Sequence, residues 1–210
     1  MLKELEQRAY LFDIRAESGE AGSIITGMPI VYNSRTDLGW FDEVIESGAL
    51  NGTDLTDVRF LVNHDISKVP LARSRRNNGN STMQLTVDER GMSIRVNLDT
   101  ENNADAKALY SAVQRRDITG MSFMFSVDGE AWDNLESDHP TRRIQKIGSV
   151  VEVSACTFPA YDSTEINARS KTALENARSA LDKARSSDAD LLDSKELELL
   201  KEKTKLLGGF

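Results

Sequence analysis

Three side chains of the types used in nucleophilic catalysis stand in or beside segments that have the composition of β-strands. The first, Ser122, lies in Gly120–Phe125, where aromatic and methionine side chains predict a strand that is buried on at least one face. Neighbouring side chains of a strand point to opposite faces, so Ser122 lies opposite Met121 and Phe123. A lone hydroxyl in such a strand is either a hydrogen-bonded core serine or a nucleophile held on a rigid support.

His64 follows the apolar segment Phe60–Val62, at the point where a predicted strand turns into a polar loop. Functional groups are common at such places, because the sheet fixes the backbone while the loop leaves access. This imidazole is therefore a candidate general base, with a structural histidine at a strand end as the alternative. The second histidine, His139, lies in the polar, turn-like segment Glu136–Pro140 and is interpreted as a loop residue.

Glu152 interrupts the apolar, β-branched segment Val150–Phe158, where alternation places it on one face with Ser154 and Cys156. Burying an ionised carboxylate is costly unless it has a partner. A carboxylate on a strand can orient an imidazole and favour its protonated form while the other ring nitrogen takes a serine proton. A glutamate on the exposed face of an edge strand fits the same pattern, so both interpretations stay open.

Bulk composition narrows the class of protein. The chain has 210 residues and a formal net charge of −8, which argues against nucleic-acid binding because phosphate contacts need a basic excess. A single cysteine, Cys156, excludes an internal disulfide and fits a reducing compartment. We find no apolar stretch long enough to span a membrane and no secretory signal at the N-terminus. These observations predict a soluble intracellular protein that binds neither nucleic acid nor membrane.

The residues before position 170 have the pattern of a β-rich domain. Predicted strands cover Arg8–Ile14, Gly22–Tyr32, Val58–Asn63, Thr82–Asp88, Met92–Leu98, Gly120–Val127 and Ile144–Phe158. Asp88–Gly91 is a hairpin turn signal, and helices are predicted over Asn103–Arg116 and, more briefly, Asp42–Ser47. Many short strands with few helices indicate an antiparallel barrel or sandwich with helices outside it, and the absence of regular βα alternation disfavours a parallel doubly wound sheet.

Composition changes near residue 168 and becomes rich in Ala, Leu, Glu and Lys. Thr172–Glu175 has the form of a capping box that begins a helix, and a second helix is predicted around Leu192, Leu199 and Leu206, at seven-residue intervals. We therefore divide the chain into a folded domain, residues 1–168, and a helical C-terminal extension or linker, residues 169–210, that meets a partner.

Five segments resemble, in their order and approximate separations, those of the tailed-bacteriophage prohead serine proteases. They are Asn63–Asp65, Pro70–Arg73, Met121–Phe123, Glu152–Ser154 and Phe158–Tyr161. Gly27–Asn33 and Glu43–Leu50 resemble the N-terminal half of that family, and the match covers roughly residues 20–165. The family is similar in fold to the herpesvirus assemblin. The resemblance therefore implies an α+β fold, mainly an antiparallel β-barrel of about six to seven strands with surrounding helices, followed by the helical extension.

The resemblance implies that Ser122 is the nucleophile, His64 the general base and Glu152 the third member of a catalytic triad. Herpesvirus enzymes use a second histidine in that third role, so Glu152 departs from them but not from the phage pattern. Asp65 is the rival orienting carboxylate because it is adjacent to His64, although neighbours on a strand point apart.

An oxyanion hole is also required for this chemistry. By analogy with the assemblin arrangement it is expected in the turn formed by Pro159, Ala160 and Tyr161. No metal and no organic cofactor are implied.

The implied function is a capsid-maturation endopeptidase that cleaves scaffold protein, major capsid protein and itself. It would act inside the assembling procapsid, in the host cell cytoplasm, and herpesvirus relatives make a homodimer or higher oligomer plausible. The alternative from another class is a non-catalytic capsid assembly or scaffolding protein that uses the helical tail to bind capsid subunits. A cysteine hydrolase built on Cys156 is a further alternative, but a small thiol in a dense apolar strand is typical of the core.

Two basic groups are interpreted as solvated loop residues in preference to substrate-docking patches. One is the cluster of Arg73, Arg75 and Arg76, and the other is the pair Arg142 and Arg143.

Overall fold

The structure, a computed structural model, describes residues 5–10, 14–19, 22–157 and 171–183. This part of the chain forms eleven strands and two helices. The elements are β1 (Glu6–Tyr10), β2 (Arg15–Gly19), β3 (Gly22–Val31), β4 (Arg35–Asp37), β5 (Asp42–Ile45), β6 (Asp57–Val62), β7 (Ala72–Arg75), β8 (Met83–Asp88), β9 (Gly91–Leu98), α1 (Ala104–Gln114), β10 (Gly120–Asp133), β11 (Thr141–Cys156) and α2 (171–183).

A seven-stranded mixed sheet is organised around the long antiparallel pair β10 and β11. Strand β1 adds antiparallel to the free edge of β10. Along its other edge, β11 pairs in parallel with β5 near its start and with β6 near its end. Strands β4 and β7 complete the sheet on the outer sides of β5 and β6. The sheet is therefore mixed, with parallel pairing confined to this edge of β11.

Strand β5 occupies the segment for which a short helix is expected, Asp42–Ser47, and that prediction is wrong. Its burial alternates with the period of a strand, because Glu43 and Ile45 point inward. A buried glutamate hides this alternation in the sequence, since a charged residue is normally assigned to the solvent face.

A second, four-stranded antiparallel sheet has the order β2-β3-β9-β8. The hairpin between β8 and β9 is confirmed, with Asp88 paired to Gly91 at its end. Gly91 has a φ of +140°, and a Cβ at this position would lie 2.0 Å from the carbonyl oxygen of Ile30. Glycine is therefore required where the hairpin crosses β3, because any side chain would collide with the backbone of β3.

One main hydrophobic core includes residues of both sheets and of α1. The helix predicted over Asn103–Arg116 is confirmed as α1, which buries Ala106, Leu109 and Val113 on one face. The side chain of Asn103 caps it by accepting hydrogen bonds from the first turn. None of the described helices is long and apolar enough to cross a membrane.

The fold is α+β, as expected, but the closed barrel is not observed. Within the described ranges, the two sheets have separate strand orders and neither closes on itself. The strand count also exceeds six to seven, because β2, β4, β5 and β7 are short and polar and do not have the alternating pattern of apolar residues that reveals strands in a sequence.

The helix predicted to begin at the Thr172 capping box is observed as α2, and it packs on the preceding domain. Leu174 is buried with Leu38 and Phe41 in a second, smaller apolar cluster. Arg178 donates hydrogen bonds to the carbonyls of Leu135 and Ser137, at 3.2 Å and 2.8 Å. The second predicted helix, around Leu192 to Leu206, lies outside the described residues, and the division at residue 168 stays a prediction.

Candidate active site

Ser122, His64 and Glu152 lie in one hydrogen-bonded row. The Nε2 atom of His64 is 2.5 Å from the Oγ atom of Ser122, and its Nδ1 atom is 2.6 Å from the Oε2 atom of Glu152. Ser122 and Glu152 are buried, and 11% of the His64 side chain is exposed. The imidazole thus bridges a hydroxyl and a carboxylate, the arrangement in which a base takes a proton on one nitrogen while a carboxylate holds the other.

The central strands of the seven-stranded sheet position these residues. Ser122 on β10 is paired across the ladder with Ser154 on β11, two residues beyond Glu152. Strand β6 runs parallel to the same end of β11, with Val62 opposite Ala155, so the chain delivers His64 just past the strand end. Two of the three groups therefore stand on adjacent strands, and the third is in the turn that follows a strand paired to them.

The turn that holds His64 has an uncommon backbone. Asn63 and His64 both adopt left-handed conformations, with φ values of +50° and +57°. Such residues persist where the surroundings hold them in place. Here the Asn63 amide N–H donates to the carbonyl of Ala155 at 3.0 Å, and the Asn63 side chain exchanges hydrogen bonds with Thr157 at 2.9 Å and 3.0 Å. Residues at the end of β11 therefore hold the turn that carries His64.

Ser154 contacts both His64 and Glu152, and the sequence alone assigns it no role. Its Oγ atom accepts a hydrogen bond from the backbone N–H of His64 at 3.0 Å and donates one to the Oε1 atom of Glu152 at 2.5 Å. Both oxygens of Glu152 are consequently engaged, one by the imidazole and one by this hydroxyl. Its position in the sequence was the available signal, since Ser154 lies two residues after Glu152 and so on the same face of β11.

Asp65, the alternative to Glu152, and Cys156, the alternative to Ser122, lie in different environments from those two residues. The carboxylate of Asp65 accepts hydrogen bonds from the backbone and hydroxyl of Ser67, which lower its pKa, and it lies outside the row formed by His64. Burial and the nearby Glu152 carboxylate raise the pKa of the Cys156 thiol to about 12. At neutral pH this thiol stays protonated, so it is a poor nucleophile.

The hydroxyl of Ser122 has a second partner on β1. Its Oγ atom donates to the backbone carbonyl oxygen of Arg8 at 2.6 Å. Strand β1 runs antiparallel to β10, with Ala9 opposite Ser122 and Arg8 opposite Phe123. A peptide carbonyl of the chain itself therefore lies against the candidate nucleophile.

Arg142 is buried, so the expectation of a solvated loop residue is wrong. It lies in β11 and belongs to a cluster of charged side chains in which Arg8 and Arg142 are 2–3% exposed. The members of this charged cluster are Glu6, Arg8, Glu43, Glu130 and Arg142. Arg143, its neighbour, points to the other face of the strand, is 40% exposed and pairs with Glu46 and Asp133.

Glu43 is at the centre of the charged cluster, with a fully buried side chain between the two arginines. The Arg8 guanidinium donates to both of its oxygens, at 2.6 Å and 2.7 Å, and Arg142 donates to one of them at 3.1 Å. Burial lowers the pKa of both guanidinium groups, but the adjacent carboxylates outweigh this effect and raise it. Both arginines are therefore charged.

The other basic group is only partly in a loop. Arg73 and Arg75 lie in β7, and Arg73 forms a bidentate ion pair with Asp57 at 2.5 Å and 2.6 Å. Arg76 follows in the turn, with a φ of +53°. The expectation of a loop is therefore wrong for Arg73 and Arg75, although Arg75 is exposed to solvent as expected.

A group of potential metal ligands lies away from the row of catalytic candidates. Asp37, Asp42 and His139 have ligand atoms within 4.8 Å of one another. His139 contacts both carboxylates, and Asp42 also pairs with Arg35 at 3.0 Å. These contacts account for the group without a metal ion.

Comparison with known proteins assigns the family. A family model described as caudovirus prohead serine protease matches residues 11–179. The chain belongs to this family. Membership implies a serine peptidase and agrees with the resemblance read from the sequence.

Individual proteins add little to this assignment. No curated protein is similar enough in sequence to count as a match. Among solved structures, the bacteriophage T4 capsid assembly protease, gp21, matches with 10% sequence identity and a TM-score of 0.45. The match covers 76% of this chain and 100% of the T4 protein.

Proposed function

We propose that this protein is a serine endopeptidase in which Ser122 is the nucleophile, His64 the general base and Glu152 the carboxylate that orients the base. The observation that supports this assignment best is the unbroken row from the Ser122 hydroxyl through both nitrogens of His64 to Glu152, with links of 2.5 Å and 2.6 Å. Both distances are at the short end of hydrogen-bond reach, about 2.6–3.2 Å for a nucleophile and its base, so the two groups are in direct contact.

The reaction is acyl transfer from a peptide. The Ser122 hydroxyl gives its proton to Nε2 of His64 as the bond from Oγ to the peptide carbonyl carbon forms. His64 then passes that proton to the leaving amine as the C–N bond breaks. Water, deprotonated by the same nitrogen, hydrolyses the resulting ester and restores the hydroxyl. Glu152 stabilises the imidazolium that forms in both halves of the cycle.

The developing oxyanion needs hydrogen-bond donors, and we assign these to Pro159, Ala160 and Tyr161, where the resemblance places them. Proline has no N–H, so the donors in this assignment are the backbone amides of Ala160 and Tyr161. These three residues lie outside the described part of the chain, so this assignment rests on the resemblance alone.

The proposed substrates are scaffold protein, major capsid protein and the protease itself, cleaved inside the assembling procapsid in the host cell. Membership in a prohead protease family supports a capsid-associated substrate. We further propose that residues 1–168 form the protease domain, that it acts as a homodimer or higher oligomer, and that residues 169–210 either target it to scaffold or shell or are removed by self-cleavage. A chain truncated at 169 that still enters proheads would exclude the targeting role.

The test is the intact mass of the purified protein and of co-expressed capsid protein, for wild type and Ser122→Ala. We expect truncation in wild type and none in the variant, because removing a triad nucleophile lowers kcat by about 10⁶-fold. Ser126→Ala is the matched control, since it removes another buried hydroxyl from β10, one that is bonded to Ser149 and away from His64.

Each outcome has a distinct meaning. Cleavage that persists in Ser126→Ala and stops in Ser122→Ala establishes serine proteolysis and gives the cleavage sites. Identical fragments from wild type and Ser122→Ala would remove Ser122 from the nucleophile role. Intact chains in every sample, including procapsids, would favour the non-catalytic assembly protein.

A further inference from the structure

Strand β1 has the placement of a bound peptide. It is extended, it adds antiparallel to the edge of the strand that holds Ser122, and it places one of its own carbonyl groups on the Ser122 hydroxyl. Adding a strand to a free sheet edge is a general way for a protein to hold an extended peptide, in which main-chain bonds give affinity and side-chain pockets give specificity. The bond that follows the contacted carbonyl joins Arg8 to Ala9.

The side chain that precedes this bond fills a built pocket. The Arg8 guanidinium is 2% exposed and donates two hydrogen bonds to Glu43, which is fully buried. Glu6, two residues earlier on the same face of β1, is 19% exposed and pairs with Arg142. A further pocket lined by Glu6, Glu130 and Arg142, with Ala173 and Ala177 of α2 opposite, adjoins this site.

The charges that the rest of the domain contributes to this pocket favour a cation. Without the side chains of β1, the charged cluster consists of the carboxylates of Glu43 and Glu130 and the guanidinium of Arg142. Two negative charges and one positive charge leave a net charge of −1. The Oε1 atom of Glu43, which among the described residues accepts only from Arg8, would also lose this partner. A buried carboxylate without a partner is costly, so a peptide that restores the guanidinium binds better than one that does not.

We propose that β1 occupies the position of the substrate strand, and that the pocket formed by Glu43, Glu130 and Arg142 selects an arginine or lysine side chain immediately before the cleaved bond. This inference rests on the proposed serine endopeptidase function and adds its substrate class. In consequence β1 competes with substrate, and a peptide must displace it to reach Ser122.

The contact also explains how β1 can remain uncut while it is docked. A serine hydroxyl has one proton, and it can be directed to Nε2 of His64 or to the Arg8 carbonyl. In attack, the proton goes to the base and a lone pair of Oγ faces the carbonyl carbon. In the structure Oγ donates to the carbonyl oxygen of Arg8 instead. The hydroxyl is then engaged in a hydrogen bond and does not attack the carbonyl carbon.

The experiment uses the full chain and quenched fluorescent peptides with the sequence of residues 4–12, in which the position of Arg8 is arginine, lysine, leucine or glutamate. Mass spectrometry identifies the cleaved bond. We expect kcat/KM to be at least about tenfold higher for the arginine peptide than for the leucine peptide, since a hydrogen bond to a charged group is typically worth that much. The glutamate peptide should be the poorest substrate.

The variants Glu130→Gln and Glu46→Gln test whether the pocket causes the preference for arginine. Glu130→Gln should lower the ratio of arginine to leucine cleavage several-fold, whereas Glu46→Gln should leave it unchanged. The pair is matched, because both carboxylates belong to ion pairs with arginines of β11 and are 33% and 30% exposed. Arg8→Ala, which empties the pocket, should raise the rate of peptide cleavage.

A fluorophosphonate probe, which reacts with an activated serine and does not need the pocket, separates the two proposals. If neither wild type nor Arg8→Ala reacts with it and no peptide is cut, the proposed function fails and this inference fails with it. Labelling at Ser122 without any preference for arginine or lysine, or a preference that Glu130→Gln leaves intact, overturns this inference alone.

Discussion

Two buried polar clusters lie on the same pair of long strands and differ in kind. Near one end of β10 and β11, Ser122 and Glu152 form with His64 a row of short hydrogen bonds that includes one carboxylate. Toward the other end, Glu130 and Arg142 belong to the charged cluster, which contains three carboxylates and two guanidinium groups. The first cluster contains an imidazole between a hydroxyl and a carboxylate, and the second consists of carboxylates paired with guanidinium groups.

This difference indicates separate tasks. In the first cluster the proton of the Ser122 hydroxyl has two possible acceptors, which suits proton transfer during a reaction. In the second, bidentate ion pairs suit the binding of a charged side chain and the attachment of β1. Arg8 joins the two clusters, because its carbonyl contacts Ser122 and its guanidinium contacts Glu43. Changes confined to one cluster should therefore affect either turnover or stability, and changes at β1 should affect both.

The largest expected effect is on turnover. Glu152→Gln should lower kcat by about 10⁴-fold, as an amide in this position favours the wrong tautomer of the base in a triad. Asp65→Asn, which changes the rival carboxylate, should leave kcat unchanged. Peptide cleavage under saturating substrate measures both, and equal losses in the two variants would contradict the assignment of Glu152.

Next in size is a loss of stability in the charged cluster. Glu43→Ala leaves two buried guanidinium groups without their central partner, so the free energy of unfolding should fall by about 3–5 kcal/mol. Glu46→Ala removes a carboxylate that is 30% exposed and should cost at most about 1 kcal/mol. Urea unfolding of both variants measures the difference, and similar losses would contradict a structural role for the charged cluster.

A smaller effect on kcat is expected from the hydroxyl of Ser154, which links the backbone of His64 to the carboxylate of Glu152. Ser154→Ala removes the hydrogen bonds to the backbone of His64 and to Glu152, and kcat should fall about 10- to 100-fold with little change in KM. Ser154→Thr retains the hydroxyl and should recover part of the loss. A uniform fall in thermal stability without a change in kcat would instead indicate a packing role.

The smallest effect is a dependence of stability on pH. Burial would raise the pKa of Glu6, but its hydrogen bond to Arg142 and the charges of Arg8 and Arg142 dominate and lower it from 4.5 to about 2. A carboxyl group with a lowered pKa stabilises the folded state above its unfolded value and loses this contribution on protonation. The stability difference between wild type and Glu6→Gln should therefore be complete above about pH 5 and shrink as the pH falls toward 2.

Urea unfolding of wild type and Glu6→Gln across that range is the measurement. A difference that stays constant between pH 5 and pH 2.5 would contradict an ionic role for Glu6 in holding β1.

The sequence is informative where side chains follow the periodicity of their element. Alternation predicts β10 and β11, helical spacing predicts α1, and the resemblance names the three residues that the structure places in one row. It is uninformative where charge is buried, as at Glu43 in β5 and Arg142 in β11, because a charged residue is assigned to the surface by default. These buried charges are stabilised by ion pairs with residues that are distant in the chain, and no local sequence pattern reveals such partners.

The parallel pairing of β6 with β11 also has a consequence for the order of events during synthesis. His64 and Glu152 are separated by 88 positions, and Arg8 and Ser122 by 114. Contacts between such distant residues form slowly, because a long loop must close before they contribute any stability. Strand β1, which contacts Ser122, leaves the ribosome before the strands it packs with, but neither its binding site nor the row of Ser122, His64 and Glu152 is complete until β11 has emerged. Under the proposed function, proteolytic competence is therefore a late event in the folding of each newly made chain.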